Sequence, residues 1–368
     1  MKLNLTVLNR SDFTIKSQSE CYAWEINRDY LTNEKSRFSP INVMNFDVGD
    51  FILAKTTMGR YRKTSDRDDS VDPIYFGIIE SEEKGQSNII NARDFYNIVN
   101  FEFPATVQSG SNVQQHLKNL LYLYLINDPT KNAANIEISI IGNPIPWAYQ
   151  PNTPPTPTNL NDYLVNVFKK YLVTWEAVDI YYDHAGNIHI DTQIGPKSNT
   201  FSLKNNVYDF ANWSVYYTPA NKDVPNMLQI VDKWTTTNME TPNILSTWYL
   251  QKDGTLTQSF NDNIFVPTIN IVAIFDNTET DPPTFLEIAQ SNLAGSTYAH
   301  EINFDVNLDS KIIYVPDLEI GIKANIVHGT DLYPSVLTGY TLSAANKWAS
   351  LKFGNIRSSL QSVLDSMK

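Results

Sequence analysis

The sequence predicts an α+β chain that is mainly β: two related antiparallel β-barrels, an inserted α/β module and a C-terminal helix. Three observations carry this. Short runs rich in β-branched and aromatic residues recur between polar turn clusters. Other stretches repeat their apolar residues at helical spacing. One order of lead-in, strand, loop, strand and return strand occurs twice, near residue 50 and near residue 320.

Residues 1–104 read as the first barrel. Phe51-Ile52-Leu53-Ala54, Ile74 to Ile79 and Asn88 to Ala92 are strand-like, and Asp66 to Ser70 and Ser81 to Gly85 are polar turns. Residues 105–204 read as the α/β module. Ser111 with Gln114 fits a capping box ahead of Val113, Leu117, Leu120, Leu121 and Tyr124. The proline-rich run from Pro144 to Pro157 is expected to be an exposed loop, because proline fixes φ and lacks a donor N–H. Leu160, Leu164, Val167, Phe168 and Tyr171 form a second helical face, followed by a hairpin of Val178–Tyr182 and Ile188–Asp191.

The second barrel is expected over 205–239 and 299–353, with Trp213–Tyr217 and Met227–Val231 flanking a turn. Residues 240–298 form an excursion associated with the α/β module, with a strand near Ile269–Ile274 and a helix opened by the capping pair Thr284 and Glu287. Strands resume at Ile302–Val306, Lys311–Val315, Ile320–Ala324, Val336–Tyr340 and Trp348–Phe353. Residues 354–368 close the chain as a helix with Ile356, Leu360, Val363 and Leu364 on one face.

Composition narrows the function. The 368 residues carry 28 Lys+Arg against 40 Asp+Glu, a net charge of −12, so clustered basic side chains for phosphate are not expected. Aromatic residues at 12 % exclude a disordered acidic chain. The single cysteine, Cys21, excludes an intrachain disulfide framework and a cysteine-based zinc site. Polar residues interrupt the first ten positions, so no signal-peptide core is expected, and the densest apolar run, Leu120–Ile126, is far short of a bilayer span.

No catalytic, cofactor-binding or metal-ligating residue is assigned. His184 and His189, with Asp183 and Asp191, bracket a hairpin and read as a solvated tip; His116, His300 and His328 are scattered. Ser81-Glu82-Glu83-Lys84 matches Ser-x-x-Lys but sits in an expected β turn, not at a helix start. Cys21 has no activating base beside it. Glu176, Asp179, Asp305 and Glu319 are candidates for a glycosidase pair that sequence cannot bring together. Asp276 to Asp281 is a polar loop without the glycine and distal glutamate of an EF-hand. Trp147 and Tyr149 in the proline-rich loop either contact a partner or anchor their own loop.

The repeat aligns Asp47-Val48-Gly49-Asp50 and its strand, Pro73 to Ile79 and Ser87 to Ala92 with Asp317 to Ala324, Tyr333 to Tyr340 and Trp348 to Phe353. Gly77 and Gly339, late in a strand, suggest bulges or barrel corners. Unrelated antiparallel domains show similar patterns, and both readings stand at this point. With Gly321 and Gly354, these residues (Gly49, Asp50, Gly77 and Gly339) define the expected barrel motif.

These segments, with Ser350 to Leu360 and the domain order, resemble the baseplate hub or tail-tip protein of tailed bacteriophages, the siphophage tail-associated type in its short form. The resemblance implies a virion protein, not an enzyme: a homotrimer under a hexameric distal tail ring, plugging or continuing the tail tube. It implies contact with the tape measure protein, indirect contact with receptor-binding complexes, and DNA ejection at host attachment without specific DNA binding. The acidic balance fits a channel that repels phosphate and equally fits plain solubility. The alternative from a different class is a β-rich cell-wall carbohydrate-binding or peptidoglycan-degrading protein.

Overall fold

The computed structural model describes residues 2–30, 34–56, 73–83, 88–105, 111–146, 156–183, 185–197, 200–204, 210–217, 225–233, 241–276, 278, 282–293, 296, 298, 300–308, 313, 315, 318–345 and 347–354. Residues 355–368 of the expected C-terminal helix, Trp147, Tyr149 and His184 lie outside them, and Gly354 is strand.

β1 (Leu3–Leu8), β2 (Ile15–Asp29), β3 (Lys35–Pro40), β4 (Phe51–Thr56), β5 (Pro73–Glu83) and β6 (Ile89–Asp94) close an antiparallel barrel. Their order is β1-β4-β5-β6-β3-β2, and β2 pairs back onto β1. Strand alternation turns Leu3, Leu5 and Val7 inward opposite Thr56, Ala54 and Ile52, all buried. β4 is also buried through Phe51 and Leu53, so its outer face is covered. Phe13, Phe51, Phe76, Phe95 and Trp175 form a continuous aromatic row across that face, with successive centroids 5.2–5.9 Å apart.

β7 (Glu102–Ala105) leads to α1 (Val113–Leu121), which one π turn (Tyr122–Ile126) extends. β8 (Ile136–Ile140), β9 (Thr156–Asn159), α2 (Leu160–Tyr171), β10 (Thr174–Tyr182) and β11 (Ile188–Gly195) follow. β10 and β11 form the expected hairpin, and β8 joins it parallel to β11. The cap of α1 differs from expectation by one residue. Asn112 accepts from the Gln115 N–H at 2.9 Å, while Gln114 is buried and its amide bonds the Asn143 carbonyl and the Ile145 N–H. The end of the proline-rich run is not loop: Pro157 pairs opposite Pro104 in a two-stranded β7·β9 sheet, where among the described residues neither strand has a second neighbour that needs a donor.

β12 (Thr200–Lys204) and β13 (Phe210–Tyr217) open a second unit. β14 (Met227–Asp232), β15 (Ile244–Leu250), β16 (Leu256–Thr257), β17 (Asn270–Phe275) and α3 (Phe285–Leu293) interrupt it; β18 (His300–Asn307), β19 (Lys323–His328), β20 (Asp331–Ser343) and β21 (Trp348–Gly354) complete it. The interruption is a four-stranded sheet, β16-β15-β14-β17, whose small core joins Leu228, Ile230, Leu250 and Ala273 to Ile288, Ala289 and Leu293 of α3. Thr284 and Glu287 make the expected reciprocal cap. Met227–Asp232, grouped by sequence with the second barrel, pairs inside this sheet instead. Thr200–Lys204, grouped with the α/β module, pairs with β19.

The second unit runs β12-β19-β20-β21-β18-β13, the first unit's order when β12, β13, β18, β19, β20 and β21 replace β1 to β6 in turn. The likeness extends to single hydrogen bonds. Gly49 N–H donates to Ile79 O and Ile79 N–H to Asp50 O, both at 2.8 Å. Gly321 N–H donates to Leu337 O at 2.8 Å and Leu337 N–H to Ile322 O at 2.9 Å. Each ladder then shifts register at the same place, after Ile79 and after Leu337. The correspondence corrects the alignment: Gly49 matches Gly321, but Gly77 matches Ser335, not Gly339. Two differences remain. β12 runs parallel to β19 where β1 runs antiparallel to β4, and among the described residues no pairing closes β12 onto β13.

The units share one sheet. Glu25 to Asp29 of β2 pair with Ser343 to Gly339 of β20. A Cβ at Gly339 would overlap the Asp29 carboxylate. Gly339→Ala is therefore expected to lower stability by about 3 kcal/mol, the upper end for overpacking. Adding Asp29→Ala should recover part of the loss, read as urea midpoints.

Candidate functional site: the buried junction

The barrel, the second unit and the α/β module meet along the free edge of β10. Barrel side chains satisfy its exposed N–H groups. Tyr30 OH accepts from Trp175 N–H at 3.1 Å, and Tyr96 OH from Ala177 N–H at 2.6 Å. A sheet edge that would otherwise recruit another strand is thereby closed.

Charge collects around this edge. Arg28 Nε lies 2.8 Å from Asp94 Oδ2, and the guanidinium sits 5.7 Å from the Tyr96 ring and 5.9 Å from the Tyr340 ring. Lys197 Nζ bridges Glu176 Oε2 at 3.0 Å and Glu319 Oε2 at 2.8 Å, with Lys197 and Glu176 buried. Burial pushes the Glu176 carboxyl up against the pull of Lys197 and Arg28. Burial likewise opposes the Lys197 charge, but the two glutamates outweigh it and hold the ammonium above the ordinary lysine value. A cavity of about 230 Å³ opens here, lined among others by Arg28, Asp94, Tyr96, Glu176, Asp179, Glu319 and Tyr340.

Three of the four carboxylates singled out in the sequence, Glu176, Asp179 and Glu319, thus line one cavity; Asp305 does not, and bonds Ser350 and Asn212. The signal for Glu176 was available as a carboxylate on an otherwise apolar strand face. Arg28, Asp94 and Lys197 escaped notice because their partners are remote in sequence.

None of the motif residues lines this cavity. Gly49 has φ +100° in the turn before β4; Asp50 is buried and accepts from Lys16 Nζ at 2.6 Å, Asp47 N–H at 2.8 Å and Arg10 N–H at 3.1 Å. Burial opposes the Asp50 charge, yet those bonds hold its carboxyl below the usual range. Gly77 leaves room for Arg93 O and the Tyr75 hydroxyl. Gly321, at φ +85°, packs on Thr174 and Phe168 of the module, and Gly354, at φ +93°, leaves no space for a Cβ beside His300 O.

The remaining candidates have the following surroundings. Cys21 is buried, and burial pushes its thiol up to about 11. His116 bonds Tyr163 OH at 2.8 Å and His300 bonds Ser335 Oγ at 2.9 Å, both in the interior. His328 stacks on Trp213 at 4.2 Å. Ser81 lies inside β5 and accepts from Asn91. Asp276 pairs with Lys233 and caps Thr278. His189 is held between Asp183 and Glu137, each at 3.2 Å, and stacks on Tyr181. Among the described residues no group of three or more His, Cys, Asp or Glu is arranged to hold a metal, and no helix is long and apolar enough to cross a membrane.

Lys197→Met strands the buried Glu176 carboxylate and is expected to destabilise the fold by about 3–5 kcal/mol. Glu319→Gln, at the exposed end, should cost less than about 1 kcal/mol in the same denaturation assay. The hydrogen bond that His189 donates to Asp183 raises the His189 pKa above the unfolded value. Its stabilisation is therefore complete below the unfolded pKa and lost as pH rises through the folded one. The stability gap between wild type and His189→Gln should be wider at acidic than at alkaline pH.

No protein-family model matches the chain, and no curated protein resembles it in sequence. Solved structures do resemble it. Prophage tail protein gp18 from Listeria monocytogenes EGD-e superposes with TM-score 0.53 at 10 % identity, covering 100 % of this chain and 98 % of that one. The tail protein from Neisseria meningitidis MC58 gives 0.51 at 12 %, covering 96 % of each. A chain of the phage P2 baseplate in its activated conformation with Ca gives 0.50 at 10 %, covering 97 % and 100 %. Over essentially its whole length, this chain has the fold of phage baseplate and tail proteins.

Proposed function

We propose that the chain is a structural protein of a phage tail tip, a baseplate hub that works by assembly and not by catalysis. The observation that carries this reading is the internal repeat: two six-stranded units of one strand order, joined by the β2·β20 ladder. Three copies of such a chain present six similar faces, which matches a threefold body to a sixfold ring. Whole-chain likeness to baseplate and tail proteins supports the same reading.

In this reading a homotrimer sits in the virion below a hexameric distal tail ring and plugs or continues the tube. The tape measure protein ends against it, and receptor-binding complexes act on it indirectly. Opening at host attachment releases DNA, which passes without specific contacts; the net charge of −12 fits a channel that repels phosphate. Gating of this kind needs an interface with two arrangements, not a reactive residue.

Light scattering tests it. A mass three times that of the chain, alone or on adding the neighbouring ring protein, is expected; a monomer under both conditions overturns the hub. Turnover of peptidoglycan that Glu176→Gln abolishes would favour the wall-degrading alternative.

A further inference from the structure

We propose that one copy of the chain docks a second by pairing its β13 with β5 of the next copy. The proposal rests on the threefold reading above for the number of copies and adds the surface that joins them. Its basis is the repeat: the β2·β20 ladder inside the chain has a counterpart whose two edges are open.

Register fixes that counterpart. In the first unit one row of paired residues runs Ser81–Asn91–Arg37–Glu25 across β5, β6, β3 and β2. In the second unit a row runs Gly339–Lys352–Asn303–Ser214 across β20, β21, β18 and β13. Ser81 and Gly339 each follow the register shift that the two units share, so the rows correspond. At the internal seam Glu25–Asp29 meet Ser343–Gly339. Glu25–Arg28 therefore match Ser214–Tyr217, and Gly339–Thr341 match Ser81–Glu83.

Both matching edges are accessible to another strand. Among the described residues β13 pairs with β18 alone. On β2, one edge serves β1 as far as Cys21 and β20 from Glu25, so Ser214–Tyr217 fall in the stretch that a strand of another unit takes, not in the place of β12. On β5, β4 reaches Ile79 through Asp50, and beyond it no described strand lies along that side of Ser81–Glu83. β19 stops at the same point of β20, and there β2 takes over. Past Ile79, β5 is one end of the run β5-β6-β3-β2-β20-β21-β18-β13 and β13 is the other. Open strand edges pair with added strands. The strand whose register complements β13 is β5, at the far end of the same run, so the occupant is a second copy placed head to tail.

One side-chain pair marks the register. Asn27 and Thr341 face each other at the internal seam, and the Thr341 hydroxyl donates to Asn27 Oδ1 at 2.8 Å. Their counterparts are Tyr216, 64 % exposed, and Glu83, also exposed. A phenol facing a carboxylate replaces a hydroxyl facing an amide.

Tyr216→Cys and Glu83→Cys placed in one chain test this. Opposed residues bring their Cβ atoms to about 4.5–5.5 Å, close to disulfide reach. Oxidation under the light-scattering conditions given above is expected to yield a covalent trimer on a non-reducing denaturing gel. Either single variant should stay monomeric there, because the contact joins different faces and the native Cys21 is buried. Tyr216→Glu sets two carboxylates opposite each other and should raise the concentration at half-assembly about tenfold; adding Glu83→Lys should restore it. A threefold mass with no covalent link and no effect of Tyr216→Glu overturns this seam and leaves the hub reading standing. Linkage by one single variant alone overturns it in favour of a two-fold contact. A monomer throughout overturns both the seam and the hub.

Discussion

Everything in this molecule hangs on the pairing of β2 with β20. Both strands are long, and each serves several ladders in turn. β2 pairs with β1 through its first half, β3 in the middle and β20 at its end. β20 pairs with β19, then lies between β21 and β2. Such sharing requires a strand to change direction, and the register shifts at Cys21/Ala23 and Leu337/Gly339 supply the bends. Two halves that begin far apart in the chain are thereby joined by main-chain hydrogen bonds instead of a flexible linker. Their relative position is a property of the backbone.

The ionic cluster beneath that seam has a different role. Buried ion pairs add little net stability over apolar residues of the same size, because desolvation offsets the attraction. What they penalise is misplacement. Arg28 and Asp94 come from the barrel, Glu176 from β10, Lys197 from the segment after β11, and Glu319 from the approach to β19. The observed arrangement of the three parts pairs Arg28 with Asp94 and Lys197 with both glutamates. The aromatic row from Phe13 to Trp175 supplies the apolar burial, and the charges select its geometry.

Much of the fold was legible because its signals are local. The helices at 113–121, 160–171 and 285–293 announce themselves by spacing, and Thr284 with Glu287 marks a start correctly. The repeat was visible through Gly49 and Gly321, whose positive φ recurs because each chain segment turns identically into its strand. Aligning Gly77 with Gly339 failed because those glycines answer to separate neighbours: one makes room for Tyr75 and Arg93, the other for Asp29. Strand partnership was the least legible feature. Nothing local in Met227–Asp232 states that it lies beside β15 and β17 and not beside β13. The junction was out of reach for the same reason, since Arg28 and Glu176 become neighbours only after long-range pairing.

The four-stranded sheet with α3 occupies a telling position. It enters between β13 and β18, at residues 218–299, where the first unit has only the short connection 30–34 between β2 and β3. Closing a longer loop carries an entropy penalty that grows only logarithmically with length, and this insert has its own apolar core to offset it. That hairpin tip is thus a grafting point. The insert there leaves the pairing of β13 with β18 in place. The two halves of the polypeptide are free to diverge in ornament while their frames stay alike.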